Sequence, residues 1–172
     1  LALRLKGIHQ PIRPRSLAQL GFASDLMDQN LPLIFGLGPT GTGKSHVSQA
    51  IGHRCMAGHT VLCVTAQQFF ADLRASRGDG TRDKRMLRYT NPDVLLLDDL
   101  GLRRLRDEEP LDLYDLIRGR YERGATLISS NRAIEEWYEL FGDPLLASAA
   151  MDRLLHHAHI VEMRGTSSGQ KP

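Results

Sequence analysis

The chain is short of cysteine, lysine and long apolar runs. Two of its 172 residues are cysteine, Cys55 and Cys63, too few for a disulfide-rich scaffold or a four-cysteine zinc site. No apolar stretch approaches the roughly 20 residues that cross a bilayer, so no membrane partner is expected. The first twenty residues carry Arg4, Lys6, Arg13 and Arg15 but no continuous apolar block. They do not read as a secretory signal, and the expected location is cytoplasmic. Lysine is confined to Lys6, Lys44, Lys84 and Lys171, the rest of the 22 basic residues being arginine. Arginine suits phosphate recognition, although a coding bias produces the same composition. An excess charge is nearly absent: 22 basic against 20 acidic residues leave +2, which neither demands nor excludes nucleic acid. What is present is ordinary globular composition, 41% hydrophobic and 24% charged, in one domain's length of chain. The chain opens on Leu1 rather than methionine, as a fragment would.

Short apolar runs alternate with helical patterns, which predicts an α/β fold with a parallel sheet. Strands are expected at 33–37, 60–65, 94–98, 126–130 and 159–163. The helix at 44–57 should stop at Gly58. A second helix carries Phe69, Phe70 and Leu73, and Asn91-Pro92 breaks the chain before the third strand. A stripe of Leu113, Tyr114, Ile117 and Tyr121 predicts a helix ended by Gly124. Asp143-Pro144 reads as an N-cap followed by proline at the first helical position. The expected organisation is an N-terminal segment over 1–30, a core over 31–165 and a frayed tail over 166–172.

The strongest signal is GPTGTGKS at 38–45, a full G-x-x-x-x-G-K-[ST] match between a strand and a helix. Gly38, Gly41 and Gly43 permit the tight turn that converges backbone N–H groups on phosphate oxygens, and the following helix directs its positive end at the same anion. The cradle is assigned to Gly38, Pro39, Thr40, Gly41, Thr42, Gly43, Lys44, Ser45 and His46. Lys44 would neutralise phosphate charge, and the Ser45 hydroxyl would ligate magnesium. VLLLDD at 94–99 supplies a hydrophobic strand ending in carboxylates: Asp98 for magnesium, Asp99 to polarise an attacking water. One strand, at 60–65, intervenes in sequence and is expected to separate the loop strand from this acidic strand in the sheet, an arrangement suited to ATPases acting on macromolecules. Asn131, at the end of ISSN, could orient water near the γ-phosphate or merely cap the strand. ATP and Mg2+ are the expected cofactors.

Arg82, Arg85 and Arg88 fall at i, i+3, i+6 on one helical face, with Arg74, Arg77 and Lys84 nearby. Arg103, Arg104 and Arg106 follow the acidic strand. Either group could track a phosphate backbone, but acidic neighbours make a solvated face the plainer reading. His156, His157 and His159 lack the further ligands of a metal site. Trp137 and Tyr138 sit among glutamates, which favours core or interface packing over base stacking.

From about residue 38 to 165 the chain resembles the IstB-like ATPases, transposition helpers of the AAA+ class related to the DnaC helicase loader. The resemblance is carried by GPTGTGKSH, RASRGDGT, LLLDDLGLRRLRDEEPLDLYDLIRGRYERG, SSNR and EEWYELFGDPLLASAAMDRLLHHAH. It implies a five-stranded P-loop sheet in the order 5-1-4-3-2, ATP hydrolysis, homo-oligomers, nucleotide-dependent binding of double-stranded DNA and engagement of a transposase. It implies that Asn131 is a first sensor. Arg153, in MDRLL, stands where such proteins place an arginine reaching a neighbour's nucleotide; the plainer reading is a helix-surface arginine paired with Asp152 or Glu162. It makes Arg82, Arg85 and Arg88 the candidate DNA contacts. Two departures stand out: little chain precedes the core, and the G-x-S-Y-R ending of the family is replaced by GTSSG. The stretch PIRPRSLAQ also resembles PhoH-like ATPases, which implies that Gln19 reads the adenine edge. Alternatives are a helicase-loader-like replication ATPase, a small-molecule kinase and an inactive remnant.

Overall fold

The computed structural model describes residues 33–38, 43–55, 58–156 and 158–162. Its strands form where β-branched and leucine runs can be buried on both faces, which is what a parallel sheet between helices requires. In chain order the elements are β1 (Leu33–Leu37), α1 (Lys44–Cys55), β2 (Val61–Thr65), α2 (Ala66–Arg77), α3 (Arg82–Thr90), β3 (Val94–Leu100), α4 (Glu109–Arg120), β4 (Ala125–Ser130), a 3-10 turn (Ile134–Glu136), α5 (Trp137–Phe141), α6 (Pro144–His156) and β5 (Ala158–Glu162). No helix among the described residues is long and apolar enough to cross a membrane. The expected segments 1–30 and 166–172 lie outside the described residues.

The sheet runs β2-β3-β4-β1-β5 with every pairing parallel. This is the order 5-1-4-3-2 expected from the resemblance, read from the opposite edge. It places β4 between β1 and β3, whereas β2, the strand expected to separate them, stands at the sheet edge. Parallel pairing brings the carboxyl ends of β1, β4 and β3 to one side, where open α/β sheets bind ligands. Leu37 and Leu100 both align with Ser130.

Local signals hold the helices in place. Thr65 caps α2: its Oγ1 accepts from the Gln68 backbone N–H at 3.2 Å, and Gln68 Oε1 accepts from the Thr65 N–H at 3.1 Å. The expected cap of α6 is present, with Asp143 Oδ1 accepting from the N–H groups of Leu145 (2.9 Å) and Leu146 (3.0 Å) ahead of the Pro144 helix. Strand starts differ from expectation by one residue at β2, β4 and β5, and two boundaries among the described residues differ by more. α4 stops at Arg120, with Tyr121 as its cap, rather than at Gly124. β3 continues through Asp99 to Leu100, with a register shift between Leu97 and Leu100.

The core fills both sides of β3. Leu95, Leu96 and Leu97 are buried, as are Phe69 and Leu73 of α2, Tyr89 of α3, Leu113 and Leu116 of α4, Trp137 and Phe141 of α5, and Ala147 and Ala150 of α6. Phe69 meets Tyr89 edge-on at 4.9 Å. Each fully buried leucine or phenylalanine adds about 1.5–3 kcal/mol of burial. Trp137 thus belongs to the core, as expected, while Tyr138 is half exposed.

Charge is also organised from inside. The α4 carboxylates Glu109 and Asp112 are buried. Glu109 binds Arg74 (2.6 Å) and Arg103 (2.7 Å), and Asp112 binds Arg77 (2.8 Å) and Arg82 (2.8 Å). These pairs tie α2, α3 and the loop after β3 to one helix.

Candidate nucleotide-binding site

β1 delivers the glycine-rich loop and α1 leads away from it. Gly38 N–H donates to Ser130 O at 3.2 Å, which fixes the loop's start against the end of β4. Gly43 has φ 86°, a left-handed conformation that a β-carbon would strain. Pro39, Thr40, Gly41 and Thr42 lie outside the described residues, as does Gln19.

Lys44 and Ser45 open α1. Lys44 is buried and its Nζ donates to Gly38 O at 2.5 Å. Burial lowers its pKa from the ordinary lysine value, an effect opposed by the nearby Asp99 and Asp98 carboxylates. Ser45 Oγ donates to Asp98 Oδ1 at 2.9 Å. The loop and the acidic strand, 53 residues apart in sequence, are therefore joined directly. His46, the next position, is exposed.

Asp98 and Asp99 do not occupy equivalent positions. Asp98 is half-buried, whereas Asp99 is exposed with a left-handed φ of 58°. Aspartate is one of the few side chains that tolerates this region. Burial and the adjacent Asp98 raise the Asp99 pKa above the usual carboxylate value, with Lys44 acting in the opposite direction. The sequence expectation of a strand simply ending in carboxylates misses this bulge.

It also misses the serines of β4. Ser129 Oγ donates to Asp98 Oδ1 and accepts from the Asp99 N–H at 3.0 Å. Ser130 Oγ donates to Leu100 O at 2.7 Å and accepts from the Arg132 N–H at 3.1 Å, while Arg132 Nε donates to Gly101 O at 2.5 Å. Both serines are buried. The available signal was two hydroxyls ending an otherwise apolar, buried strand, where each polar group needs a partner. Asn131 follows them directly and is exposed.

The arrangement fits a magnesium nucleotide. Ser45 and Asp98 present hard oxygen donors to one spot, and magnesium takes few protein ligands because it keeps several waters. Asp99 stands beside them with a carboxylate able to accept a proton.

The remaining candidates lie elsewhere. Arg153 Nη1 donates to Ala149 O at 2.8 Å, and its guanidinium lies 5.4 Å from the Tyr114 ring centre. It borders an apolar recess with Leu116, Ile117, Gly124 and Thr126. The expected alternative partner Asp152 is not what holds it. Among the arginines expected to contact DNA, Arg82 is committed to Asp112 and Asp115 (2.5 Å), while Arg85 and Arg88 share Asp72 at 3.5 and 3.6 Å. The trio therefore does not act as one free face. Arg82 is compensated by carboxylates about thirty residues downstream on α4, and Arg85 and Arg88 by Asp72 upstream on α2, relations invisible to local spacing. No group of metal-binding side chains occurs among the described residues; His156 Nδ1 pairs instead with the Tyr121 hydroxyl at 2.9 Å.

The family described as IstB-like ATP binding protein matches residues 9–172. The match includes the N-terminal stretch that resembled PhoH-like ATPases. An insertion-sequence ATP-binding protein of Sinorhizobium fredii is 35% identical over 97% of this chain and 73% of its own length. The counterpart from insertion sequence IS5376 of Geobacillus stearothermophilus is 35% identical over 90% of this chain and 60% of its own length. That from IS21 of Pseudomonas aeruginosa is 34% identical, over 89% and 56%. The chain thus spans little more than half of the latter two relatives. Among solved structures, the DnaC helicase loader superposes with a TM-score of 0.74 at 20% identity, over 89% of this chain and 94% of that one. The replication initiator DnaA bound to AMPPCP and single-stranded DNA gives 0.70 at 23%, over 85% and 45%. At that identity they establish the fold alone, a P-loop sheet of the AAA+ kind. The family match across nearly the whole chain settles its membership: this chain belongs to the IstB-like ATP-binding proteins.

Proposed function

We propose that the chain binds ATP with magnesium, hydrolyses it, and uses the nucleotide-bound state to bind double-stranded DNA and engage a transposase as a homo-oligomer. The observation that carries the reading is the 2.9 Å contact from Ser45 Oγ to Asp98 Oδ1, which closes the loop and the acidic strand into one site. The names of the relatives, all ATP-binding proteins of insertion sequences, support the transposition role.

In this mechanism the backbone N–H groups of the loop between Gly38 and Ser45 cradle the phosphates, and Lys44 provides the cation beside them. Ser45 and Asp98 hold magnesium, which when bound neutralises phosphate charge. Asp99 orients a water and accepts its proton; Asn131 positions that water from the next strand. Arg153 serves a neighbouring subunit. Thr126, beside it, and Ser130, near the loop, stand four residues apart on β4, so roughly 13 Å of strand separates Arg153's surroundings from its own phosphate loop. For DNA, Arg85, Arg88 and the adjacent exposed Lys84 are the available cations, with Arg82 organising α3 from beneath.

ATP turnover with and without duplex DNA, at two salt concentrations, tests the reading. DNA stimulation that fades with salt is expected, because phosphate contacts release counterions. Lys44→Ala should weaken nucleotide binding by about ten- to a hundredfold, the worth of a charge-assisted contact. Equal binding by variant and wild type, or labelled phosphate passing to an acceptor other than water, overturns it.

A further inference from the structure

The β4 serine beneath the acidic pair has a place in this site that neither the glycine-rich loop nor the carboxylates explain. A hydroxyl carries one proton and two acceptor positions. Ser129 gives its proton to Asp98 Oδ1 and accepts the Asp99 N–H at 3.0 Å. One side chain therefore sets the rotamer of one carboxylate and the backbone direction of the next. The second effect matters because Asp99 is held at φ 58° across a register shift, and sparsely populated backbone conformations persist only when their surroundings impose them.

Asp98 Oδ1 accepts from two hydroxyls, and the two differ in character. Ser45 lies at the half-exposed start of α1, while Ser129 is 1% exposed inside the sheet. Ser45 can turn toward a ligand; Ser129, fixed by the strand and by the Asp99 N–H, remains. Ser130 next door faces a different task, bonding Leu100 O and Arg132 N–H without touching either carboxylate.

We propose that Ser129 is a positioning residue, whose hydroxyl holds Asp98 for magnesium and Asp99 for water. This rests on the functional reading above. Partners that orient a metal ligand typically alter metal affinity or activity by about 10- to 100-fold when removed.

The test measures binding of a fluorescent ADP analogue, with magnesium and with EDTA, to the full chain carrying Ser129→Ala, Ser129→Thr or Ser130→Ala. In EDTA, Ser129→Ala should bind the analogue as wild type does, since the phosphate loop is untouched. Its gain in affinity on adding magnesium should shrink by about tenfold, with a matching rise in half-saturating magnesium. Turnover should fall in kcat more than in KM. Ser129→Thr, which keeps the hydroxyl, should restore the magnesium response, and Ser130→Ala should lower the melting temperature while leaving that response as in wild type. If Ser129→Ala does not fold, Ser129→Cys, close in size but a weak donor, is measured in its place with the same expectation. A wild-type magnesium response in the alanine or cysteine variant overturns the proposal and leaves the function standing. Failure of the wild-type chain to bind the analogue under either condition overturns both.

Discussion

Asp99 combines three properties that are separately uncommon: exposure, a left-handed backbone and a raised pKa. Its pKa shift has consequences of opposite sign for activity and stability. As a proton acceptor Asp99 acts only when ionised, so the acidic limb of turnover should lie above the ordinary carboxylate value of 3.8. For stability, a carboxyl with a folded-state pKa above its unfolded value holds its proton more tightly when folded. That contribution is present at low pH and is lost as pH rises through the folded pKa. Asp99→Asn cannot ionise and, like aspartate, tolerates the left-handed region. It should abolish turnover while melting at least as high as wild type at pH 7; a lower melting temperature, or an unchanged pH–rate profile, would contradict this account. At this scale the site was partly legible. Lys44, Ser45 and Asp98 follow from a motif whose chemistry needs those residues in order. Ser129 does not, because its role depends on β4 lying beside β3, which no local spacing encodes.

The helix α4 shows how an element is held from both ends of its charge pattern. Its last residue, Arg120, is 3% exposed and gathers oxygens from two segments: Nη1 donates to Tyr89 O, Thr90 O and Pro92 O, Nη2 to Ala125 O at 2.6 Å, and Nε to Thr126 Oγ1 at 2.8 Å. Burial depresses its pKa to about 10, a cation stabilised by carbonyl dipoles instead of a bonded carboxylate. Arg120→Met should cost about 3 kcal/mol, since several buried acceptors lose their donor. Arg120→Lys should recover less than half, because one ammonium cannot span the planar fork. Denaturant titration measures both, and full rescue by lysine would show that charge alone matters here. The fold's elements were readable where periodicity was long or a cap was explicit, as in β3, α2 and α6. The end of α4 was not, because the chain leaves the helix at Tyr121, whose ψ is 123°, and Glu122 follows at a left-handed φ of 57°, ahead of Gly124. α5, five residues long, is too short for a helical period to register; it is defined by burial of Trp137, Leu140 and Phe141.

At the scale of the whole molecule, the sheet separates the candidate nucleotide site from Arg153 by its own length. Gly38, Lys44, Ser45, Asp98 and Ser129 gather at the carboxyl end of the central strands, whereas Arg153 lies with Gly124 and Thr126 at the opposite end of β4. Ala149 O and the Tyr114 ring hold its guanidinium on its own subunit's surface. If Arg153 acts across subunits, a complete site draws its lysine from one chain and its arginine from another. Lys44→Ala and Arg153→Ala chains should then each turn over ATP poorly alone, the arginine change costing up to about a thousandfold. Mixed together they should recover activity, because some interfaces pair an intact loop with an intact arginine. Recovery should scale with the product of the two concentrations at low total protein and saturate as assemblies fill. An Arg153→Ala chain that keeps wild-type turnover, or a mixture whose rate is only the sum of its parts, would return Arg153 to a helix-surface residue packed on Tyr114.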